Sequence, residues 1–147
     1  MLWFEFGGGG NYWESYTAPW AFAERQIDLD CWKRGKRGII ITMGDERLNP
    51  YLPEEAVNTW LGSDFQKGQL DTKALYNRVK DKWDIYHIDV AHRSYDVENI
   101  EETFKEVLDE NHFKRVPVNG VAQIIVDIVK NSGNDDAEPL KCEEISW

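Results

Sequence analysis

The sequence predicts an α/β fold, a three-layer α/β/α sandwich around a mostly parallel, Rossmann-like sheet. Two short apolar runs end in acidic or turn residues and are typical of buried strands: residues 38–46 (GIIITMGDE) and 84–91 (DIYHIDVA). Segments with apolar residues at helical spacing precede, separate and follow these runs. Strands that alternate with helices predict right-handed βαβ crossovers and therefore parallel strand pairing.

The first unit is predicted to be strand, glycine loop, helix and strand. Residues 1–6 (MLWFEF) form an apolar, strand-like start, and residues 14–28 form the helix, with Ser15 as its N-cap and Pro19 tolerated in its first turn. The buried stripe of this helix is Tyr16, Trp20, Ala23 and Ile27. The isoleucine run of residues 38–46 is then the central strand, buried on both faces.

The next stretch, residues 47–64, is long for a connection between elements. A short helix starts at Pro53 and ends at Gly62, and its apolar side is Val57, Trp60 and Leu61. Long connections are often functional, so one interpretation is a lid over a site. The favoured interpretation is an insertion that caps the end of the sheet.

The second half continues the alternation. Asp71 or Thr72 caps a helix, residues 84–91 form a strand, Asp96 caps a helix, residues 112–118 form an edge strand, and Asn119 caps the last helix. The buried stripes of these three helices are predicted to be Leu75, Val79 and Trp83; Ile100, Phe104, Val107 and Leu108; and Val121, Ile124, Ile125, Ile128 and Val129. Residues 1–132 form one domain, and residues 133–147 form a polar, acidic tail that we expect to be disordered.

Charge and composition exclude several classes of function. The net charge of −10 argues against a binder of nucleic acid or of anionic membranes. The basic group Lys33, Arg34, Lys36 and Arg37 is interleaved with glycines, and we interpret it as a solvated connection. The sequence contains no apolar run of membrane-spanning length and no signal peptide. Cys31 and Cys142 are therefore expected to be free thiols in the cytoplasm.

Two stretches resemble one known family. The glycines Gly7, Gly8, Gly9 and Gly10, followed by Asn11 and the helix start Glu14-Ser15-Tyr16, together with a strand that ends in Gly44-Asp45-Glu46, resemble bacterial and phage proteins of the von Willebrand factor A-like (vWA) type. The resemblance covers roughly residues 3–91, and the remainder agrees only in the order of its elements. It implies a metal-ion-dependent adhesion site at the carboxyl ends of the strands.

The resemblance also implies which residues form that site. Ser15 or Thr17 would supply a hydroxyl ligand and Asp45 a carboxylate to Mg²⁺, which prefers oxygen ligands. The DxSxS motif of the family is absent, so the site is incomplete and we expect no tightly bound metal. We expect a protein partner at the loops, with Asn11, Trp13 and Glu46 as contact residues. Since the family's first strands are missing, two arrangements are left open: residues 1–6 pair directly with the strand of residues 39–41, or an open sheet edge recruits a second copy in a homodimer.

The resulting prediction is a non-enzymatic interaction module, with alternatives left open. In one alternative, a metal-dependent enzyme or nucleotide-binding protein uses the loop from Gly7 to Gly10 with Asp45 and Glu46, although GxGxxG and GK[ST] spacings are absent. In another, His87, Asp89 and His92 act as an acid–base or metal group, although a packed sheet-end cluster is the favoured interpretation. Cys31 is interpreted as a packing thiol rather than a nucleophile.

Overall fold

The computed structural model describes residues 13–90 and 96–132 of the 147-residue chain. These residues form an α/β structure with a parallel three-stranded sheet and five α-helices. In chain order, the elements are β1 (Trp13–Glu14), α1 (Ala18–Gln26), a 3₁₀ helix (Asp30–Arg34), β2 (Gly38–Gly44), β3 (Arg47–Leu48), β4 (Tyr51–Leu52), α2 (Glu54–Leu61), β5 (Leu70–Asp71), α3 (Thr72–Val79), β6 (Trp83–Asp89), α4 (Val97–Lys105), β7 (Phe113–Arg115), a 3₁₀ helix (Val118–Gly120) and α5 (Val121–Asn131).

The main sheet has the order β2–β6–β7, and both strand pairs are parallel. Two smaller sheets accompany it: β1 pairs with β3 in parallel, and β4 pairs with β5 in antiparallel orientation. The predicted α/β class is thus confirmed, and the two predicted strands are present as β2 (Gly38–Gly44) and β6 (Trp83–Asp89). The predicted strand of residues 1–6, the glycine run, Asn11, His92 and the acidic tail lie outside the described residues.

The central position predicted for the isoleucine strand is wrong within the described sheet. The central strand is β6, and six of its seven residues are buried. Strand β2 pairs only with β6 among the described strands, and Met43 near its end is 50% exposed. A run of β-branched residues predicts a strand, but the neighbours of that strand depend on distant parts of the chain.

Helix α1 begins later than predicted, and Ser15 is not its N-cap. Trp13 and Glu14 form the short strand β1 instead, and the backbone turns at Ser15, whose carbonyl accepts a hydrogen bond from Ala18 N at 3.0 Å. Thr17 occupies the N-cap position, and Pro19 stands in the first turn as expected. The predicted stripe residues Trp20 and Ala23 are buried on α1.

Helices α2 and α3 begin where the sequence predicted. Two tryptophans near their ends, Trp60 and Trp83, are placed differently from the prediction. Pro53 precedes α2, and Asp71 caps α3 by accepting a hydrogen bond from Ala74 N at 2.8 Å. Trp60, which was predicted to lie on the apolar side of α2, is 41% exposed. Trp83 is buried as expected, but it opens β6 instead of ending the stripe of α3.

The C-terminal elements depart most from the prediction. Asp96 stands at the N-cap of α4, and β7 covers three residues of the predicted edge strand. Helix α5 begins at Val121 after a 3₁₀ turn, so Gly120 replaces Asn119 as its N-cap. Of the five apolar residues predicted to face inward on α5, only Ile128 is buried.

The two faces of the main sheet are covered unequally. The inner face carries Ile40 and Thr42 of β2, the odd-numbered residues of β6, and Phe113 and Arg115 of β7. The main core packs there with α1 to α4. The outer face carries Ile39, Ile41 and Met43 of β2 with Tyr86 and Ile88 of β6. Among the described residues, Ile88 and Ile128 are the two buried apolar side chains that lie outside the main core.

Candidate functional site

Tyr16 closes the carboxyl end of β2, where the sequence predicted a site. The Tyr16 ring is buried, and its hydroxyl accepts a hydrogen bond from Glu46 N at 3.3 Å. The hydroxyl lies so close to Gly44 that a Cβ atom on that glycine would be 1.9 Å from the Tyr16 oxygen. The glycine at the end of β2 therefore makes room for Tyr16, and Tyr16 holds the loop that carries Asp45 and Glu46.

A charged cluster occupies the carboxyl end of β6. Asp89 is 1% exposed, and its Oδ2 accepts a hydrogen bond from Arg115 Nε at 2.5 Å. Arg115 also donates to Glu101 Oε2 at 2.9 Å and to the Val97 carbonyl at 2.8 Å. The guanidinium thus joins β6, β7 and the first half of α4. This arrangement satisfies Arg115 and anchors α4 over the sheet edge.

His87 lies in an aromatic enclosure below that cluster. Its ring stacks on Phe104 with centroids 3.8 Å apart, and Tyr16 approaches it edge-on at 4.7 Å. Its Nδ1 is 2.9 Å from Thr42 Oγ1, and Nε2 has no hydrogen-bond partner within the described part of the chain. Burial lowers the pKa of His87 to about 3.

The predicted group of His87, Asp89 and His92 is therefore only partly assembled in the described structure. His87 and Asp89 share the inner face, as the alternation predicted. The Asp89 carboxylate bonds Arg115, whereas the imidazole bonds Thr42, so the two side chains are held by different partners. A neutral, enclosed imidazole is typical of a packing residue, which supports the favoured interpretation of a sheet-end cluster.

The residues predicted to bind metal have different environments. Thr17 is fully buried, and its hydroxyl accepts a hydrogen bond from Asn49 Nδ2 at 2.6 Å. Ser15 is half-buried, and Asp45 is exposed beyond the end of β2. Within residues 13–90 and 96–132, no three His, Cys, Asp or Glu side chains are grouped to hold a metal ion. The Mg²⁺ site remains a prediction.

The predicted partner contacts are only partly described. Glu46 is half-buried beside Tyr16, and Trp13 forms part of β1, while Asn11 is not among the described residues. Three residues of the basic group form ion pairs: Lys33 and Arg34 pair with Asp30, and Arg37 pairs with Asp84. The three basic side chains are about half exposed or more, as predicted for a solvated connection. Cys31 is a free, half-buried thiol.

Asn49 is a structural centre that sequence reasoning missed. Its side chain donates to Thr17 Oγ1 and to the Tyr51 carbonyl at 3.0 Å, and its own carbonyl accepts from Thr72 Oγ1 at 2.6 Å. This buried asparagine links the starts of α1 and α3 through β3 and β4. The only local signal is the Asn49-Pro50 dipeptide, which is typical of a turn.

The long edge of β2 that points away from β6 carries apolar residues that are half-buried or exposed. Ile39 and Ile41 are half-buried, and Met43 is 50% exposed. Gly38 N donates to Lys82 O and Gly44 O accepts from Val90 N, so the even-numbered residues of β2 direct their backbone groups towards β6. Neighbouring residues in a strand point their backbone groups in opposite directions. Ile39, Ile41 and Met43 therefore direct theirs away from β6, and we call these three residues the β2 edge.

Helix α5 carries a second apolar surface. On this helix Val126 is 44% and Val129 is 43% exposed, and Val118 in the preceding 3₁₀ turn is 61% exposed. Only Ile128 of this helix is buried. No helix in the described parts of the chain has the length and apolar character needed to cross a membrane.

Comparisons of the chain with protein-family models, with curated proteins and with solved structures give no match.

Proposed function

We propose that the protein is a non-enzymatic protein-interaction module of the vWA-like type, with an incomplete metal-ion-dependent adhesion site. The proposal includes the finer fold, a three-layer α/β/α sandwich, and a place of action in the cytoplasm. The resemblance of the glycine run and the Gly44-Asp45-Glu46 strand end supports the family. The β2 edge is the observation that carries the interaction function.

The β2 edge combines two features that bind extended polypeptide. Among the described strands only β6 pairs with β2, so the outward backbone groups offer a template for a further strand, and Ile39, Ile41 and Met43 offer apolar side chains to the same partner. Exposed edges of this kind are normally protected by lysine, proline or a bulge. The strand from Gly38 to Gly44 contains neither lysine nor proline, and its pairing with β6 is continuous.

The titratable groups of the described site support binding over catalysis. The buried carboxylate Asp89 is held by Arg115, and His87 is enclosed by Thr42 and aromatic rings. A general acid or base needs access to substrate, and both of these side chains are buried. These two side chains serve the packing of α4 on the sheet instead.

Site-specific photocrosslinking tests the proposal. A photoreactive amino acid replaces Met43, which is 50% exposed, in the full chain produced in its source cells, and the adducts are identified by mass spectrometry. The matched control carries the same group at Glu102, an exposed position of α4, whose Phe104 packs on the inner face. We expect one dominant protein adduct from position 43 that is absent from position 102. Equal adducts from both positions, or none from position 43, would contradict the interaction function.

A further inference from the structure

Two buried polar atoms on the inner face of β6 have no hydrogen-bond partner in the described part of the chain. They are Nε2 of His87 and Oδ1 of Asp89. The two residues are 0% and 1% exposed, so bulk solvent does not satisfy these atoms. An unbonded polar atom in the interior is costly, and most such atoms bond either to protein or to an ordered water. The pair therefore indicates a small ligand inside the fold.

The two side chains border the same space on the inner face. Alternate residues of a strand share a face, and their Cα atoms are about 6.6 Å apart. Tyr16 spans this interval from the side of β2. Its ring meets the His87 ring edge-on at 4.7 Å, and its hydroxyl lies beside Gly44. In the β2–β6 register Gly44 is the partner of Asp89, so Tyr16 reaches from one side chain to the other.

Helix α4 and β7 border the same space from two further sides. Phe104 of α4 stacks on His87. Glu101 lies three residues earlier on α4, which places it on the same face of the helix, and it accepts a hydrogen bond from Arg115. Arg115 of β7 in turn donates to Asp89 Oδ2. Described residues thus border the space between His87 and Asp89 on three sides.

Thr42 determines which nitrogen of His87 carries the proton. The Thr42 hydroxyl donates to the Tyr86 carbonyl at 3.2 Å, and a hydroxyl has one proton to give. Towards His87 Nδ1, which is 2.9 Å away, Thr42 Oγ1 is therefore the acceptor, and Nδ1 carries the proton. Burial lowers the pKa of His87 to about 3, so the ring is neutral and Nε2 has a lone pair instead of a proton.

Both partnerless atoms are therefore acceptors, and they need a shared donor. Asp89 Oδ1 belongs to a carboxylate paired with Arg115, and an ionised carboxylate only accepts hydrogen bonds. The surrounding charges balance, since Asp89 and Glu101 are matched by Arg115 and Lys105. Among the described residues, no third His, Cys, Asp or Glu side chain completes a metal site with the pair. A small neutral molecule with two donor protons fits this environment.

We propose that one buried water molecule binds between His87 and Asp89 and donates one hydrogen bond to His87 Nε2 and one to Asp89 Oδ1. A hydrogen bond from water is about 2.8 Å long, so one molecule bridges two acceptors that are about 4.5 Å apart. Side chains of alternate strand residues allow that separation. Buried waters that make two to four such bonds are part of a protein's structure. This water connects the middle of β6 to the Arg115 cluster at its end.

A crystal structure of the full chain tests the site directly. We expect one ordered water within about 3.2 Å of both His87 Nε2 and Asp89 Oδ1. His87→Phe should lose this water, because phenylalanine offers it no acceptor. The matched control is His112→Gln, which changes a histidine that stacks on Tyr86 of the outer face, and it should retain the water.

NMR of the imidazole nitrogens tests the proton assignment in solution. Two-bond ¹H–¹⁵N correlations near neutral pH distinguish a protonated from an unprotonated ring nitrogen. The His87 signals are identified in the folded chain by elimination, with His92→Gln and His112→Gln. We expect His87 to show a protonated Nδ1 and an unprotonated Nε2. The wild-type crystal structure and this spectrum decide the proposal even where His87→Phe does not fold.

Each result has a definite meaning for the site. A bridging water together with a protonated Nδ1 would support the proposal. A direct hydrogen bond between His87 Nε2 and Asp89 Oδ1, or a contact between them with no water, would overturn it. A protonated Nε2 would overturn the assignment of two acceptors, and density for a metal ion would overturn the neutral ligand. The proposed interaction function is unaffected by any of these results, because it concerns the β2 edge.

Discussion

His87 and Phe104 lie flat against each other, with ring centroids 3.8 Å apart and ring planes inclined by 14°. The contact joins the middle of β6 to α4 and places an imidazole where bulk water does not reach. Because the charged ring would lose its solvation there, burial lowers the pKa of His87 from the usual 6.5 to about 3.

His87 is therefore expected to make folding pH-dependent in the acid range. The unfolded chain takes up a proton at this ring below about pH 6.5 and the folded chain does not, so stability is complete above that pH and falls as the pH drops towards 3. Between pH 7.5 and pH 5.0 the loss is about 2 kcal/mol. Urea unfolding at both values measures it.

His87→Phe should remove this pH term, since phenylalanine fills the enclosure without titrating. His112→Gln is the matched control, because it removes a half-buried histidine whose Nδ1 is 3.0 Å from the Ile85 carbonyl. A wild-type pH dependence that persists in His87→Phe would show that another group causes it.

The contact of Gly44 with the Tyr16 hydroxyl predicts a strong effect of adding one methyl group. Gly44→Ala forces Tyr16 or the end of β2 to move, because the new Cβ would lie 1.9 Å from the Tyr16 oxygen. We expect a loss of about 2 kcal/mol in the free energy of unfolding. Gly120→Ala is the control, since its nearest neighbour is at an ordinary 3.6 Å.

Combining Gly44→Ala with Tyr16→Phe tests the cause of that loss. Removing the hydroxyl removes the closest atom, so the double variant should be more stable than the two separate losses predict. Strict additivity in thermal or urea unfolding would contradict a direct contact between these residues.

Local sequence patterns allowed the helices and strands of this fold to be predicted, but not which strands lie beside each other in the sheet. The β-branched run of β2 and the alternation of β6 are visible within a few residues, and so is the Asp71 cap of α3. The order β2–β6–β7 depends on contacts across the whole chain. For the same reason the prediction placed β2 at the centre of the sheet, whereas β6 is central among the described strands.

The sequence indicated where the candidate site lies, but it did not indicate which residues contact each other there. The acidic pair after Gly44 indicated the carboxyl end of the sheet, which agrees with parallel α/β folds. The Tyr16 contact, the Asn49 hydrogen bonds and the Arg115 cluster join residues far apart in sequence. Side chains of these types occur throughout the chain, so no local pattern distinguishes the ones that meet.

Arg115 is expected to be the most costly ion-pair residue to remove. Arg115→Met leaves the Asp89 carboxylate, which is 1% exposed, without its cation, and we expect a loss of about 3 kcal/mol in urea unfolding. Adding Asp89→Asn should restore part of that stability, because it removes the unpaired buried charge.

Arg34→Met is the control for Arg115→Met. Arg34 pairs with Asp30 on the surface, where both side chains are more than 60% exposed, so its loss should cost less than about 1 kcal/mol. Equal losses for the two variants would show that the Asp89–Arg115 pair is no more than a surface interaction.

Thermal melts with Mg²⁺, Mn²⁺ and ATP are expected to leave the melting temperature unchanged. Mg²⁺ needs several oxygen ligands, and the Thr17 hydroxyl already accepts a hydrogen bond from Asn49 in the core. Asp45→Ala should likewise show no shift on addition of Mg²⁺, Mn²⁺ or ATP, and Asp81→Ala controls for the loss of an exposed carboxylate. A ligand at a hundred times its Kd would stabilise the fold by about 2.7 kcal/mol. A metal-dependent rise that Asp45→Ala abolishes would restore the adhesion-type site, and a rise only with ATP would favour the enzyme alternative.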